Sequence, residues 1–390
     1  MGSDLLADAR ALDATLLHWR RHLHAHPELS GHEANTATYV AAALREMGLE
    51  PRERVGGMYG LTVDLGPAGG PCVALRADMD ALPIQEQTGL PYASRTPGVM
   101  HACGHDAHTA MLLGAARLLS ARRGELARPV RLIFQPAEEQ PPGGAKPMID
   151  AGVLDGVERV YGLHIWSEMP VGTLGTRAGV FMASTDELDI VIRGRGGHAA
   201  MPQQCVDPIV AASQVVVALQ SITSRSIAMT DSAVVSITQF NGGTASNIIP
   251  EEVRLAGTVR TLSEATRAAV LRRLREIVEG VARAHGAEAR VEVGAGYPAL
   301  VNDAAAVESA LRAARGLGIA SESILQLAAQ GGGEDFAYYA RRVPSAFVFL
   351  GARNEAKGCV FAHHHPRFNI DEDALPLGAA LLAALALSAA

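Results

Sequence analysis

The 390-residue chain has only four cysteines, spread too thinly to make a disulfide framework, so a reducing compartment is the default. It has no excess of positive charge. Lys and Arg total 34 against 41 Asp and Glu, a net charge of −7, which argues against nucleic acid as the main partner. The start, MGSDLLADAR, has no basic stretch followed by an apolar core, and Leu6 breaks the myristoylation pattern. The expectation is therefore a cytoplasmic protein. The uncharged tail 374–390 is shorter than the roughly 20 residues of a membrane span and contains Pro376 and Gly378, so it is expected to be a buried helix and not an anchor. There is no G-x-S-x-G elbow, no Walker A loop and no C-x-x-C pair. A serine hydrolase, a nucleoside-triphosphate enzyme and a zinc ribbon lose support.

What is present is an ordinary globular composition, 48% hydrophobic and 19% charged, with enough chain for two or three domains. The first third alternates helical and strand patterns. Helices are expected over 5–24, 34–47 and 107–122, and strands over 60–65, 72–76, 130–135 and 160–165. That alternation marks an α/β layer with a largely parallel sheet. The middle reads as strand 187–193, helix 208–224, strands 233–240 and 253–260, helix 264–285 and strand 289–293. This β-α-β-β-α-β order is a ferredoxin-like unit, expected as an insertion. After it α/β alternation resumes, with a helix at 304–315, a turn at 331–333, a strand at 346–350 and the final helix. The expected division is a catalytic domain of 1–179 and 295–390 around a second domain of 180–294, with hinges near Gly179 and Gly294–Gly296.

Fourteen histidines is a high count, and many are clustered. The segment 100–108, MHACGHDAH, holds three His, one Cys and one Asp. Imidazole, thiolate and carboxylate are the usual ligands of zinc and related metals. His101 and His105 would share a helix face; Cys103 and His105 converge only on a loop or a helix entry, which Gly104 favours. The alternative is a polar loop around a buried Cys. Glu138 and Glu139 follow the strand 130–135 at the end where open α/β sheets place their sites. One can bind a metal while the other takes a proton, or both can be solvated loop charges. His164 lies in an apolar strand, where a hydrogen-bonded core histidine is the plainer reading. His363, His364 and His365 form a further run before the acidic helix start 371–373. Asp80, just after the strand 72–76, can ligate or orient a ligand histidine.

The chain carries, in order, RHLHAHPELS (21–30), LRADMDALP (75–83), MHACGHDAHTAMLLGAA (100–116), FQPAEE (134–139), GLHIW (162–166), GRGGHAAMP (194–202), GGTASNIIP (242–250), GTVRT (257–261), GGEDFAYY (332–339) and HHPRFNIDED (364–373). With these ten motifs it resembles the M20 metallopeptidases over nearly its whole length. The likeness is to the subgroup of hippurate hydrolases, N-acyl-amino-acid amidohydrolases and auxin-conjugate hydrolases.

The resemblance implies a two-metal catalytic domain and a smaller lid domain that dimerises or forms a higher homo-oligomer. It implies metal ligands Cys103, His105, Glu139, His164 and His364 for two divalent ions (zinc, manganese, cobalt or nickel), and Glu138 as general base. Asp78 stands where related branches have a ligand histidine, and Asp80 matches the aspartate that orients a ligand. His198, reaching from the partner subunit, would stabilise the oxyanion. Asn247 and Arg260 would hold the substrate carboxylate, and Gly332 and Gly333 would allow close approach of the substrate. The expected reaction is metal-dependent hydrolysis of the amide of an N-acetyl or N-aroyl amino acid. The rivals are a carboxypeptidase or dipeptidase acting on short peptides, and a non-catalytic protein that binds such molecules.

Overall fold

The computed structural model describes residues 2–388; the last two residues of the apolar tail lie outside it. The chain forms two compact units. The first comprises residues up to Phe181 together with 301–328 and the chain from 335 onward; the second comprises 182–300 and 329–334.

The first unit is built on an eight-stranded sheet. Its order is Arg52–Val55, Gly60–Leu65, Val130–Gln135, Cys72–Asp78, Val157–Pro170, Ser345–Arg353, Leu174–Thr176 and Ile324–Gln326. The four central strands, from Val130–Gln135 to Ser345–Arg353, run parallel to one another. Antiparallel strands sit toward the edges. This explains the continuous apolar runs: all seven residues of Cys72–Asp78 are buried, as expected of a strand covered on both faces. Arg76 is buried there because Asp78 and Asp335 pair with it at 2.7 and 2.8 Å.

The helix His105–Ala121 is buried along nearly its whole length. Its neighbours are the helices Asp13–Ala25 and Ala374–Leu387, so the apolar tail is a core helix as expected. Buried Arg20 donates to Asp106 at 2.9 Å, which ties the helix Asp13–Ala25 to the entry of His105–Ala121. Among the described residues, no helix is long and apolar enough to cross a membrane.

One expected helix, 5–24, is two: Gly2–Ala11 and Asp13–Ala25. At the break the Leu12 N–H bonds to Ala9 O at 3.1 Å, a tightened turn. The first piece packs chiefly on the C-terminal helix and the second chiefly on His105–Ala121. A one-residue break of this kind leaves the apolar period almost intact and is invisible to it.

The second unit has a four-stranded sheet in the order Ala233–Gly242, Glu252–Thr261, Ser184–Arg193 and Glu288–Ala295, all neighbours antiparallel. The helices Pro208–Ser221 and Glu264–Ala284 complete the β-α-β-β-α-β order. Their starts are explicit in the sequence: Asp207 accepts from the Ile209 and Val210 N–H groups with Pro208 at the first helical position, and Ser263 accepts from Thr266 N–H. Leu188, Ile190 and Ile192 point from the sheet into a core with Val215, Leu219, Leu274 and Val278. The segment 329–334 joins this unit because Ala183 N–H bonds to the carbonyls of Gln330 and Gly332.

Candidate metal centre

Three parallel strands put their functional residues level. Asp78 is in register with Gln135, and Arg76 with Gly162, so Asp78, Gln135 and His164 lie side by side. Asp80, Glu138 and Glu139 follow just beyond the carboxyl ends of their strands, the usual position for a site in an open α/β sheet. The helix His105–Ala121 begins at His105, after Gly104 at φ +95°, a left-handed turn that only glycine adopts readily. Cys103 therefore sits on the loop and His105 on the first helical turn.

These residues converge. Cys103, His105 and His164 bring ligand atoms within 4.8 Å of one another; so do Cys103, Glu139 and His364, and also His105, Glu138 and Glu139. Cys103 belongs to the first two groups, so its sulfur lies between two candidate cation positions. Cys103 Sγ is 3.5 Å from His164 Nε2, and His364 Nε2 is 3.3 Å from Glu139 Oε1.

Neighbouring bonds turn each ring toward the cluster. His164 Nδ1 donates to Ile165 O at 2.6 Å, leaving Nε2 toward Cys103. His105 Nδ1 lies 3.3 Å from Asp80 Oδ1, leaving Nε2 toward Glu139 at 3.9 Å. This is the carboxylate–histidine pairing that fixes a metal-binding ring. Asp80 is itself held by Ser30 Oγ at 2.6 Å and by the Glu139 N–H at 2.9 Å.

His108, His363 and His365 are occupied otherwise. Ile165 N–H donates to His108 Nε2, so the His108 proton lies on Nδ1, donated to Asp78 at 2.5 Å. His363 uses one ring nitrogen with Ser167 and the other with Ile165 O. His365 accepts from Arg367 N–H and stacks on Phe361. Of the tandem trio only His364 meets the cluster; its backbone is left-handed at φ +65° and its side chain is 53% exposed, which puts this side of the centre at the surface. His101 does not share the helix face of His105. It precedes the helix and is buried, and burial pushes its pKa down to about 4.

The electrostatics favour a cation. His105 Nε2 and Glu139 Oε1 are buried and form no hydrogen bond, although Asp78 Oδ2 lies 3.7 Å from the first and His364 Nε2 3.3 Å from the second. Such orphaned atoms are costly, and here they face each other across the cluster. Burial opposes charge on His105, but Asp78, Asp80 and Glu139 outweigh it and raise its pKa to about 10. Burial, with Glu139, Glu138 and Asp78 nearby, pushes the Cys103 thiol well above its ordinary value. Burial holds His164 neutral, the form that ligates. A mixed thiolate, imidazole and carboxylate set around unsatisfied atoms fits a divalent transition metal.

The other expected site residues lie in the second unit. His198 is in a two-stranded ladder opposite Ile248, and Asn247 O accepts from Ala199 N–H, so His198 and Asn247 are neighbours. Arg260 is half-buried and bonds to Thr258 Oγ1 and Val259 O. It lines a small cavity of about 180 Å³ with Ser232, Gln330 and Gly331. A Cβ at Gly333 would fall 2.2 Å from Thr185 Cγ2, so packing within this unit accounts for that glycine. Sequence reasoning missed Ser30, Glu33, His108 and the Arg76–Gln135–Asp335 network. All of these but Glu33 stand inside matched motifs; Glu33 carried no signal of its own.

A profile described as Peptidase family M20/M25/M40 matches residues 74–388. The chain belongs to this family. Membership makes it a hydrolase. It is 43% identical over 379 residues to an N-acetylcysteine deacetylase of Bacillus subtilis strain 168, covering 97% of each chain. It is 41% identical over 383 residues to thermostable carboxypeptidase 1 of Saccharolobus solfataricus, covering 97% of this chain and 96% of that one. A Bacillus subtilis protein described as a dinuclear metal-binding M20 peptidase superposes with a TM-score of 0.84 at 40% identity, covering 97% and 98% of the two chains.

Proposed function

We propose that this chain hydrolyses the amide bond of N-acyl amino acids, with Cys103, His105, Glu139, His164 and His364 holding two divalent cations. The observation that carries the reading is the pair of ligand groups sharing Cys103, with Glu138 beside them. Deacetylases of N-acetylcysteine among the relatives support the acyl-amino-acid class. When bound, such cations lower the pKa of a coordinated water and polarise a carbonyl. Zinc, manganese, cobalt and nickel all suit this donor set.

The residues divide the remaining work. Glu138 takes the proton of the attacking water and returns it to the departing amine. Asp80 holds His105 at Nδ1 and the Glu139 amide, and so orients two ligands at once. His198, from the second unit of a partner subunit, donates a hydrogen bond to the oxyanion. Arg260, with Asn247, grips the free carboxylate of the substrate. The second unit thus serves as lid and assembly domain of a homodimer or higher homo-oligomer, in the reducing cytoplasm.

The carboxypeptidase among the relatives keeps a second reading open, that of cleaving the terminal residue of short peptides. Steady-state kinetics on acetyl-amino acids, hippurate and dipeptides, with each metal in turn, separates the two. Acyl-amino acids turning over with the highest kcat/KM is the expected result. Dipeptides cleaved while acyl-amino acids stay intact would replace this reading with the second. Binding without turnover across the panel would mean a non-catalytic protein.

A further inference from the structure

Glu33 has no exposed surface and lies at the entry to the helix Ala34–Glu46, outside the ligand cluster. Its Oε1 accepts from Gly31 N–H at 2.8 Å and from Ala137 N–H at 2.9 Å, 104 residues away. Its Oε2 is buried without a hydrogen-bond partner among the described residues. A carboxyl group buried this way is expensive unless what it holds matters.

What it holds is the residue before Glu138. Ala137 is left-handed, at φ +55°, one of three non-glycine residues in that region among the described residues; a second is His364. For a residue with a Cβ this conformation costs free energy and persists only when the surroundings enforce it. Both backbone groups of Ala137 are restrained, its N–H by Glu33 and its carbonyl by Gly144 N–H at 3.1 Å. On the other side of Glu138, the Glu139 N–H is held by Asp80, and Asp80 by Ser30. The loop 30–33 therefore grips the residues on both sides of Glu138, Ala137 directly and Glu139 through Asp80.

We infer that Glu33 is a positioning residue for Glu138: by holding the N–H of the left-handed Ala137 it fixes the backbone turn from which the Glu138 carboxylate projects. The inference rests on the reading of Glu138 as the base. Glu33 does its work as an acceptor and not as a charge. Burial, with Asp80 nearby, pushes its carboxyl up to about 7, so a neutral amide oxygen can take its place. The geometry has to be good because a proton acceptor displaced by even an ångström loses much of its rate advantage.

The test uses the metal-loaded full chain as Glu33→Ala, Glu33→Gln and, as a control, Glu138→Gln. Glu33→Ala should lower kcat roughly tenfold or more with KM and metal content near wild type. It should also speed amide hydrogen exchange in the peptide spanning 134–140, with or without metal. Glu33→Gln should restore most of the kcat and the slow exchange. Unchanged kcat and exchange in Glu33→Ala would overturn the inference. So would loss of bound metal in parallel with activity, or a Glu33→Gln variant that folds and is as slow as Glu33→Ala. A Glu138→Gln variant that stays fully active would instead remove the reading on which the inference stands.

Discussion

Cys103 is the residue on which two ligand groups meet, and its environment explains why a metal and not a reactive thiol is expected there. Burial and three nearby carboxylates keep the thiol protonated on its own, so it is a poor nucleophile. Only a cation makes the thiolate favourable at this position. Cys103→Ala should therefore lower the metal bound per chain, measured by elemental analysis after dialysis. Unchanged stoichiometry would make Cys103 a packing residue. The density of His, Cys and Asp in 100–108 made this cluster legible in the sequence, because its members are close neighbours along the chain. Glu33 was not legible as part of the site, and His108, though counted in that cluster, was not legible in its role. They act on backbone amides dozens of residues away, and a backbone amide leaves no mark on residue identity.

At the scale of elements, what sequence reveals depends on burial and length. The strands Gly60–Leu65 and Val130–Gln135 match their expected spans because apolar runs bounded by turns define them. The edge strands Arg52–Val55 and Ile324–Gln326 escape, since three or four mostly exposed or half-buried residues carry no period, and the buried Leu174–Thr176 escapes because three residues are too short a run to stand out. His164 shows how an element decides a residue. In isolation a histidine in an apolar strand is a core residue. Only the register, which sets it level with Asp78, puts it in the cluster. The same holds for the tandem histidines, where ring contacts and a left-handed backbone separate His364 from its neighbours.

At the scale of the molecule, the order of strands and helices reveals the inserted unit. It does not reveal that 329–334 returns to that unit, because the deciding bonds run between backbone groups of Ala183, Gln330 and Gly332. The proposed sharing of His198 between subunits is a property of the assembly. Subunits carrying His198→Ala, co-assembled with subunits carrying Glu138→Gln, should regain activity that neither variant has alone. Failure of mixed assemblies to regain it would confine each site to one subunit.

The central claim is that two cations and one carboxylate base carry out amide hydrolysis in this chain. It is tested most directly by measuring metal content and N-acetyl-amino-acid turnover together in Glu138→Gln. The account predicts wild-type metal content, about two ions per chain, with turnover reduced roughly a hundredfold or more. Turnover near wild type at full metal loading would contradict it.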